Sequence, residues 1–468
     1  MERLPSDRWL EKVIMSVAFL PGLASRLLSA RDNVPDAAMK SARMHLLDAL
    51  CVGVAGSQWG SATDILRLDS GPGPCSVLGS SWTTSPQAAA LINGSLIHSL
   101  EYDDTHTQSV VHGSSVLAPV ALAMAEQRAT DIDTMVAAFA VGWELLIRLG
   151  LSDPGGLQRR GFQVTPAAGV FAASAVSCLL SGDDVEKTAR ALSIAGSMAS
   201  GTLAPAKRGD SAKAVQPGWA AHSGIMAAEL ARVGITGPDG VFHGSMGFFS
   251  LYGGADKARD FEQMIEDIGT QWHLRDAAFK MYPCCHYIHP FIEAAQSLQG
   301  EIGDLEITNV HCHVPEAVVP VVAEPWDQRV APQTTQEARW SLPYVVATAF
   351  VDGKVDLETF RGEPREDLIT FAERIGYEAW CDSGFPRVFP AKVEVTLSDG
   401  SVRGCFIEDV LGNRDRPFTE EDVNRKARAN LTSVGFLPHR IDSILNLFAA
   451  HGAKSVQELT KLLEVRSD

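Results

Sequence analysis

The sequence predicts a mainly α-helical fold with a smaller α+β lid. Up to about residue 265, apolar residues recur at spacings of three and four, as in residues 88–99 and 116–126, which is typical of amphipathic helices. After about residue 300, residues 306–313 and 392–396 alternate apolar and polar side chains, which is typical of half-buried strands. The predicted domains are a helical domain in two parts and an inserted lid: residues 1–268, 413–468 and 269–412 respectively.

Helix start and stop signals support the first and last parts of this division. Asp183 and Glu186 match a D-x-x-E capping box before an apolar stripe, and Gly182 is a candidate C-terminal cap for the preceding helix. Thr419 with Asp422 predicts a further helix from residue 420, so the chain returns to helical structure at its end.

The central part of the chain mixes both periodicities. Residues 341–350 and 366–375 are predicted helices, the second between a proline start signal and Gly376 as a stop signal. The turn sequence of residues 398–400, Ser-Asp-Gly, predicts a hairpin whose returning strand is residues 402–407. Strands and helices in this order indicate an α+β unit.

Composition restricts the partners of the protein. The 468 residues include 40 basic and 57 acidic side chains, a net charge of −17. Nucleic acid and anionic membranes would be repelled at long range, so we expect neither as a partner. A small anionic substrate would need a locally basic pocket. The longest apolar stretch, residues 167–180, is shorter than the roughly 20 residues that a membrane-spanning helix needs.

Cysteine usage and the N-terminal residues predict a cytoplasmic protein. The eight cysteines are scattered and form no C-x-x-C pair, which favours a reducing compartment. Acidic residues at positions 2, 7 and 11 surround the first apolar run, the wrong charge pattern for a secretory signal.

Several reaction classes lack their local signatures. The sequence contains no G-x-G-x-x-G opening a βαβ unit, no G-x-x-x-x-G-K-[ST], no H-E-x-x-H and no G-x-S-x-G. It also lacks the three-cysteine arrangement of an aconitase-type iron–sulfur site. We therefore expect no cofactor.

The first candidate site is a dense group of ionisable residues that precedes an apolar helix. It contains three imidazoles and three carboxylates: His98, His106, His112, Glu101, Asp103 and Asp104. The N-terminus of the following helix offers free N–H groups to an anion. Alternatively, the aspartates cap helices and the histidines are packed against neighbours that satisfy them.

The second candidate site is the segment of residues 279–290. Lys280 lies on a short apolar approach, where a lysine can bind a carboxylate or, if desolvated, act as a base. The alternative is a metal site, for which the possible ligands are Cys284, Cys285, His286, His289 and the segment His311-Cys312-His313. Because a Cys-Cys-His run lacks the C-x2-4-C spacing of structural zinc sites, we favour a packed cysteine pair and expect no metal.

The third candidate site is the basic stretch of residues 206–222. It places Lys207, Arg208 and Lys213 close together in a chain that is otherwise acidic, just before a helix of small residues. This stretch is a candidate for holding a carboxylate, and a solvated basic loop is the alternative.

Taken together, these segments resemble the signatures of the MmgE/PrpD family of lyases and isomerases. H-S-L-E-Y-D-D-T-H followed by H-G-S-S is similar to the family's H-x-L-D-F-D-D-T-H with H-P-S, and K-M-Y-P-C-C-H-Y-I-H-P to K-P-Y-P-S-C-R-Y-T-H-P. The basic stretch resembles the family's lysine segment, and S-L-P-Y at 341–344 resembles its lid tyrosine motif. The similarity runs in order over about residues 10–450.

The resemblance implies a helical domain built from both chain ends, an α+β lid, a pocket between the two, and a homodimer. It also implies a reaction without a cofactor or metal. Members of the family include dehydratases, decarboxylases and epimerases, which share a carbanion or enolate next to a carboxylate. Such chemistry needs a base, cations that stabilise the developing charge, and an acid.

By motif position, the resemblance implies roles for particular residues. His112 is the first choice for acid and base, Lys213 and Lys280 bind carboxylate and stabilise charge, and Asp104 orients His106 or His112. The predicted catalytic residues are His112, Lys213, Lys280, Tyr344 and Asp104, and the predicted substrate-binding residues are Glu101, Thr105, His106, Gln163, Lys207 and His289.

Two positions depart from the family pattern. Glu101 stands where many members carry aspartate and is one methylene longer, and Gln163 stands where they carry histidine. A glutamine can form hydrogen bonds but cannot shuttle a proton. The substrate, or the reaction itself, is therefore expected to differ from that of those members.

Three functions follow as hypotheses. The first is a lyase that eliminates from a small carboxylate, with dehydration ranked before decarboxylation. The second is an epimerase or isomerase of a small dicarboxylate that uses the same carbanion. The third, prompted by Gln163, is a binding protein without catalytic activity on the same fold.

Overall fold

The structure, a computed structural model, describes residues 19–465 apart from 208, 255, 304, 450, 451 and 453, and only the backbone at 206 and 207. It confirms the predicted fold class, a mainly α-helical protein with a smaller α+β part. Residues 1–18, which include the acidic positions 2, 7 and 11, lie outside the described residues.

In the described residues, the helical part begins with eleven α-helices, several of them long and with buried faces rich in alanine. They are α1 (19–31), α2 (Asp36–Trp59), α3 (Pro86–His98), α4 (Gly113–Arg128), α5 (Ile132–Leu151), α6 (Gly156–Arg159), α7 (Val164–Ser181), α8 (Val185–Ala195), α9 (Ala212–Arg232), α10 (Phe248–Tyr252) and α11 (Lys257–Met264). The chain end adds α18 (Glu420–Ser433), α19 (Pro438–Ala449) and α20 (Val456–Leu463). The remaining helices, α12 to α17, belong to the lid.

Small residues bring α3 and α9 into backbone contact. A Cβ atom added at Gly94 would lie 2.7 Å from the Cα of Gly218 and 2.7 Å from the carbonyl oxygen of Ser115, closer than real Cβ atoms approach. Only glycine therefore allows α3 to pack this closely against α9 and α4. This packing brings the C-terminal end of α3 close to the N-terminal end of α9.

The lid contains a four-stranded sheet with the order β4-β3-β5-β6 and a layer of helices. Its strands are β3 (Ile307–Pro315), β4 (Ile375–Trp380), β5 (Ala391–Leu397) and β6 (Val402–Ile407). Strands β3 and β4 are parallel, and the other two pairs are antiparallel. The lid helices are α12 (His289–Ile302), α13 (Val319–Val322), α14 (Trp326–Val330), α15 (Thr335–Ala338), α16 (Leu342–Asp352) and α17 (Glu366–Ala372).

Two large hydrophobic cores lie in the described residues. The first contains buried residues between 20 and 279 together with residues from 418 to 463, and the second contains residues between 284 and 397. The C-terminal helices thus share the core of the N-terminal ones, with α18 packed on α2. The domain boundaries near residues 268 and 412 stay predictions.

Most predicted elements agree with the structure, and two details were wrong. The N-cap of α8 is Asp184, which accepts from the backbone N–H of Lys187, while Asp183 pairs with Arg232 instead. Gly376 does not stop a helix, because it lies inside β4. A short two-stranded hairpin, β1 (Cys75–Ser76) and β2 (Thr83–Thr84), was not predicted. By contrast, the Thr419–Asp422 capping box and the left-handed Gly182 cap are confirmed.

Helices α5 and α7 are long and apolar enough to span a membrane by length and composition alone. Their most apolar windows are 83% and 94% buried inside the protein. Buried helices of a protein core pass the same test of length and composition. Because both helices are buried in this way, we assign them to the first hydrophobic core.

Candidate active site

The site lies in the loop of residues 99–112, between the end of α3 and the start of α4. Asp104 shapes this loop: its carboxylate accepts from the backbone N–H of Ser114 at 3.2 Å and from the Ser114 hydroxyl at 2.5 Å. It also pairs with His45 Nδ1 at 2.7 Å. The side chain of Asp104 thus starts α4. Asp104 was predicted to orient His106 or His112, and it contacts His112 through its backbone carbonyl oxygen, 3.1 Å from His112 Nδ1.

The neighbouring carboxylate, Asp103, faces the imidazoles. Its Oδ2 atom lies 2.8 Å from His98 Nδ1 and 3.6 Å from His112 Nδ1. The two rings meet edge to face, with centroids 5.0 Å apart. One buried carboxylate therefore orients two histidines.

The contacts determine which nitrogen of His112 is free. Its Nδ1 atom lies 3.1 Å from the carbonyl oxygen of Asp104 and 3.0 Å from Thr105 Oγ1. A carbonyl can only accept, so we infer that Nδ1 carries the proton. Among the described residues, Nε2 of His112 has no hydrogen-bond partner, and the side chain is 18% exposed. It therefore presents a free lone pair.

His98 is held differently. Its Nδ1 faces the Asp103 carboxylate, and its Nε2 lies 3.2 Å from the ammonium group of Lys213. An ammonium can only donate, so His98 Nε2 accepts from it and is already occupied. Of the two imidazoles, only His112 is free to receive a proton.

Two lysines meet around Glu101. Lys213, at the N-terminal end of α9, lies 2.5 Å from Glu101 Oε1, and Lys280 lies 3.8 Å from Glu101 Oε2. The Lys213 ammonium also lies 5.2 Å from the ring centroid of Trp340, which belongs to the lid. Both lysines were predicted, and the structure brings them together at one carboxylate.

Three buried cations hold the backbone around Glu101. The carbonyl oxygens of residues 100, 101 and 102 accept hydrogen bonds from Arg339 (3.0 Å), Lys280 (3.0 Å) and Lys426 (2.8 Å) respectively. Glu101 has a φ of 52°, a left-handed conformation that is uncommon for residues other than glycine. We refer to residues 100–102 and these three cations as the carbonyl clamp. In the carbonyl clamp, Arg339 comes from the lid, Lys280 from the segment between the two hydrophobic cores, and Lys426 from the C-terminal helix α18.

Burial and charge set the ionisation of the site. Burial alone would raise the pKa of Glu101, but Lys213 and Lys280 outweigh it and lower that pKa to about 2. Burial would likewise raise the pKa of Asp103, which the imidazoles of His98 and His112 hold below its usual range. Burial lowers the pKa of His112 well below its ordinary value, with Asp103 opposing and Lys280 adding to the effect. His112 is therefore neutral near pH 7.

Four of the predicted residues do not join this cluster. His106 bonds to Ser109 Oγ at 2.7 Å, and Tyr344 accepts from the backbone N–H of Arg365 at 3.1 Å. His289 packs against Tyr282 and His286. Gln163 occupies the N-cap position of α7. The Tyr344 hydroxyl accepts this bond from Arg365 within the lid and keeps its own O–H to donate, so its catalytic role stays a prediction. The side chain of Lys207 lies outside the described residues.

The segment of Gln163 still adjoins the site. Thr165, two residues later, accepts a hydrogen bond from the backbone N–H of His112 at 2.9 Å. Gln163 itself is buried. It therefore stands near His112 without a described contact to it.

Sequence reasoning assigned no role to four residues that the structure places at the site: His98 and Asp103, which it included in the first candidate site, and Arg339 and Trp340, which it did not name. The first two lie within the recognised motif, where an Asp-Asp doublet gives no sign of which carboxylate faces the imidazoles. The other two directly precede the S-L-P-Y motif, and their proximity to that motif was the available signal.

Two groups of possible metal ligands lie in the first and second candidate sites, and neither is well suited to a cation. The ligand atoms of His98, Asp103 and His112 lie within 4.8 Å of one another, but the Lys213 ammonium already contacts His98 Nε2. Cys284 and Cys285 are buried in the lid core, where burial raises the pKa of Cys285 to about 11 and disfavours the thiolate that binds metals. The metal site considered for Cys284 to His289 is not assembled.

Two family models and several known proteins match this chain. The model of the MmgE/PrpD N-terminal domain matches residues 28–260, and that of the MmgE/PrpD C-terminal domain matches residues 282–446. The cis-aconitate decarboxylase-like protein oryM of Aspergillus oryzae is 29% identical over 429 residues, 86% of this chain and 88% of the relative. Cis-aconitate decarboxylases of Aspergillus terreus and Homo sapiens are 26% and 27% identical, over 86% and 75% of this chain and 87% and 73% of their own lengths.

Proposed function

Since the chain belongs to the MmgE/PrpD family of lyase-type enzymes, we propose that it transfers a proton at a carbon next to a carboxylate of a small polycarboxylate, without a cofactor. The observation that carries this proposal is the free Nε2 of His112, whose ring is held through Nδ1 by Asp104 and Thr105. A neutral, oriented imidazole beside two lysines is suited to acid–base chemistry on an anion.

When the reaction begins with proton abstraction, His112 Nε2 takes the proton from the carbon next to a carboxylate. The electron pair left by the C–H bond spreads onto that carboxylate, and the ammonium groups of Lys213 and Lys280 stabilise the added charge. Glu101 compensates these lysines in the closed site and would have to share them with the substrate. Lys213 and Lys280 contact Glu101, and the Arg339 guanidinium is held by the backbone carbonyl of Leu100 rather than by a carboxylate. Three cations thus lie near the two carboxylates Glu101 and Asp103, which favours an anionic ligand.

Two eliminations fit these groups. In dehydration, the electron pair left by the C–H bond forms a double bond, and hydroxide leaves as water with the proton that His112 has taken from carbon. In decarboxylation, His112 takes no proton from the substrate: the bond to a carboxylate breaks, carbon dioxide leaves, and the electron pair on the carbon skeleton receives a proton from His112, which takes that proton from solvent. The sequence ranks dehydration first, but the relatives are named as cis-aconitate decarboxylases, so we rank decarboxylation first.

One observation keeps dehydration as the second candidate. Asp103 Oδ1 is buried and has no hydrogen-bond partner among the described residues. Buried polar atoms usually have a partner, and a substrate hydroxyl could donate to this oxygen. An unsaturated tricarboxylate lacks such a hydroxyl, whereas a hydroxy-polycarboxylate carries one.

The test is turnover of cis-aconitate, followed by carbon dioxide release and by product proton spectra, in parallel with hydroxy-polycarboxylates. We expect activity in the purified protein and a loss of at least about 100-fold in His112→Ala, since general acid–base catalysis contributes about 10²–10⁴-fold. The control is His439→Ala, an exposed histidine on α19. Folded protein with no turnover of any such acid would favour the binding-protein hypothesis.

Deuterium oxide distinguishes elimination from epimerisation. Decarboxylation places deuterium in the product at the protonated carbon. Label at the carbon next to the carboxylate in recovered substrate, with neither olefin nor carbon dioxide formed, would replace the lyase proposal by the epimerase one.

A further inference from the structure

The exposed face of the lid sheet carries a cluster of histidine and glutamate side chains that is independent of the proposed function. His311 and His313 are alternate residues of β3, so both side chains lie on one face of the strand. The intervening Cys312 and the flanking Val310 and Val314 point to the other face and are buried in the lid core. The two imidazoles therefore face away from that core.

A carboxylate from the next strand lies between the two imidazoles. Glu378 of β4 is directly paired with His313 in the sheet register. Its carboxylate lies 2.5 Å from His313 Nδ1 and 3.6 Å from His311 Nε2. One ligand atom from each of the three residues lies within 4.8 Å of the others.

A second carboxylate supports the ring of His313 from the opposite side. Glu394 of β5 lies 3.4 Å from His313 Nε2, and Lys392 lies 3.0 Å from the other oxygen of Glu394. Histidines that bind metals usually donate their second ring N–H to a carboxylate, which fixes the ring orientation. Here Nε2 of His313 has that partner, which leaves Nδ1 for a ligand.

We propose that His311, His313 and Glu378 form a binding site for one divalent transition-metal ion of the Zn²⁺ class. Two imidazoles and one carboxylate are a ligand set that Zn²⁺ and its neighbours prefer. On binding, the metal replaces the contact between His313 Nδ1 and Glu378. The ligand side chains are 34%, 15% and 58% exposed, so an ion can reach them, and water completes its coordination.

The test is calorimetric titration of tag-free protein with Zn²⁺, in a Cys381→Ser background because that thiol is exposed. We expect one equivalent of Zn²⁺ to bind, and its affinity to fall at least about 10-fold in His311→Ala and in Glu378→Gln. Glu394→Gln should weaken binding about 10-fold, as loss of a supporting carboxylate does. His439→Ala should bind like the parent.

Cu²⁺ gives a second readout through its electron paramagnetic resonance spectrum, in which two coordinated imidazole nitrogens are expected. Equal Zn²⁺ titrations of the parent and of His311→Ala would overturn the proposal. So would binding that survives in His311→Ala but disappears in His112→Ala, because the ion would then lie in the other histidine cluster. The fold of each variant is checked by circular dichroism.

Discussion

At the scale of single residues, the chemistry depends on which atoms remain free. His98 and His112 share one carboxylate, yet only His112 keeps an unoccupied nitrogen, because Lys213 already donates to His98. The contact with Lys213 thus separates the chemistry of the two imidazoles, and His112 is also the more exposed of the two. The same reasoning distinguishes Asp103, which faces the imidazoles, from Asp104, which starts a helix.

The ionisation of His112 predicts the pH dependence of the rate. Because burial holds its pKa well below 6.5, the imidazole of the free enzyme stays neutral as the pH falls from 8 through 6.5. If neutral His112 is the base, we therefore expect kcat/KM to stay nearly constant over that interval and to fall only at lower pH; in decarboxylation, which needs protonated His112, kcat/KM would instead rise as the pH falls. The measurement is the pH profile of kcat/KM, which reports groups of the free enzyme. An acidic limb centred at or above pH 6.5 would contradict this assignment of the base.

The charge of Glu101 predicts a large effect of neutralising it. Glu101→Gln leaves Lys213 and Lys280 without their shared carboxylate in a buried site, and breaking a buried ion pair costs about 3–5 kcal/mol. We expect the free energy of unfolding in urea to fall by roughly that amount. Glu101→Asp, which keeps the charge, should lose less. Equal stability of Glu101→Gln and the parent would show that the lysines do not depend on this carboxylate.

At the scale of elements, distant segments converge on one loop. Helix α3 supplies His98, α9 supplies Lys213, and close glycine packing between these helices brings the two side chains together. The carbonyl clamp adds Arg339 from the lid and Lys426 from α18. The C-terminal helix therefore supports the active-site loop as well as the core.

Substitution of Lys426 tests whether the carbonyl clamp positions the active-site loop. Its ammonium bonds to the carbonyl of Tyr102 and to the buried carboxylate of Asp48. Lys426→Met should release the loop and lower kcat about 10–100-fold, because misplacement of catalytic groups by about 1 Å can cost 10²-fold. Arg425→Ala, on the exposed side of the same helix, is the matched control and should keep the parental rate.

A double variant separates positioning from stability. Lys426→Met leaves Asp48 buried without its partner, so Asp48→Asn should restore part of the stability that is lost. If Lys426 positions the loop, the double variant stays slow although it is stable again. Recovery of the rate together with stability would assign Lys426 a structural role alone.

At the scale of the whole molecule, buried histidines make stability depend on pH. Burial lowers the pKa of His106 and of His286 to about 3, and that of His112 and His289 well below 6.5. Below pH 6.5 the unfolded chain binds protons at these positions and the folded chain does not. Stability must therefore fall as the pH decreases from 6.5 towards 3.

Two buried carboxyls act in the opposite direction. Burial raises the pKa of Asp48 to about 6, so between pH 6 and 3.8 the folded chain binds a proton that the unfolded chain lacks, and burial also raises the pKa of Glu126. Each imidazole contributes about 1.4 kcal/mol per pH unit, and four imidazoles outweigh two carboxyls. We expect the urea midpoint to be lower at pH 5.5 than at pH 7.5, and His286→Phe to reduce the difference. A midpoint that is independent of pH would contradict the burial of these neutral rings.

The sequence alone determined the local features of this protein, because they depend on residues a few positions apart. The period of three to four predicted the helices, the alternation predicted β3 and β5, the turn at 398–400 predicted β6, and Thr419 with Asp422 predicted the start of α18. Motif segments likewise identified His112, Lys213 and Lys280 as site residues before their geometry was known.

Only the tertiary structure decided how these residues act. Asp103 and Asp104 are adjacent, yet the first carboxylate faces the imidazoles and the second accepts from the start of α4. The sequence does not show which of two neighbouring side chains points in which direction. Lys426 reaches the loop from 324 positions away, a distance that no local pattern describes. The protonation of each imidazole depends on such long-range contacts, since burial and neighbouring charges set its pKa. The family signature thus comes from the sequence, and the assignment of the base comes from the packing around it.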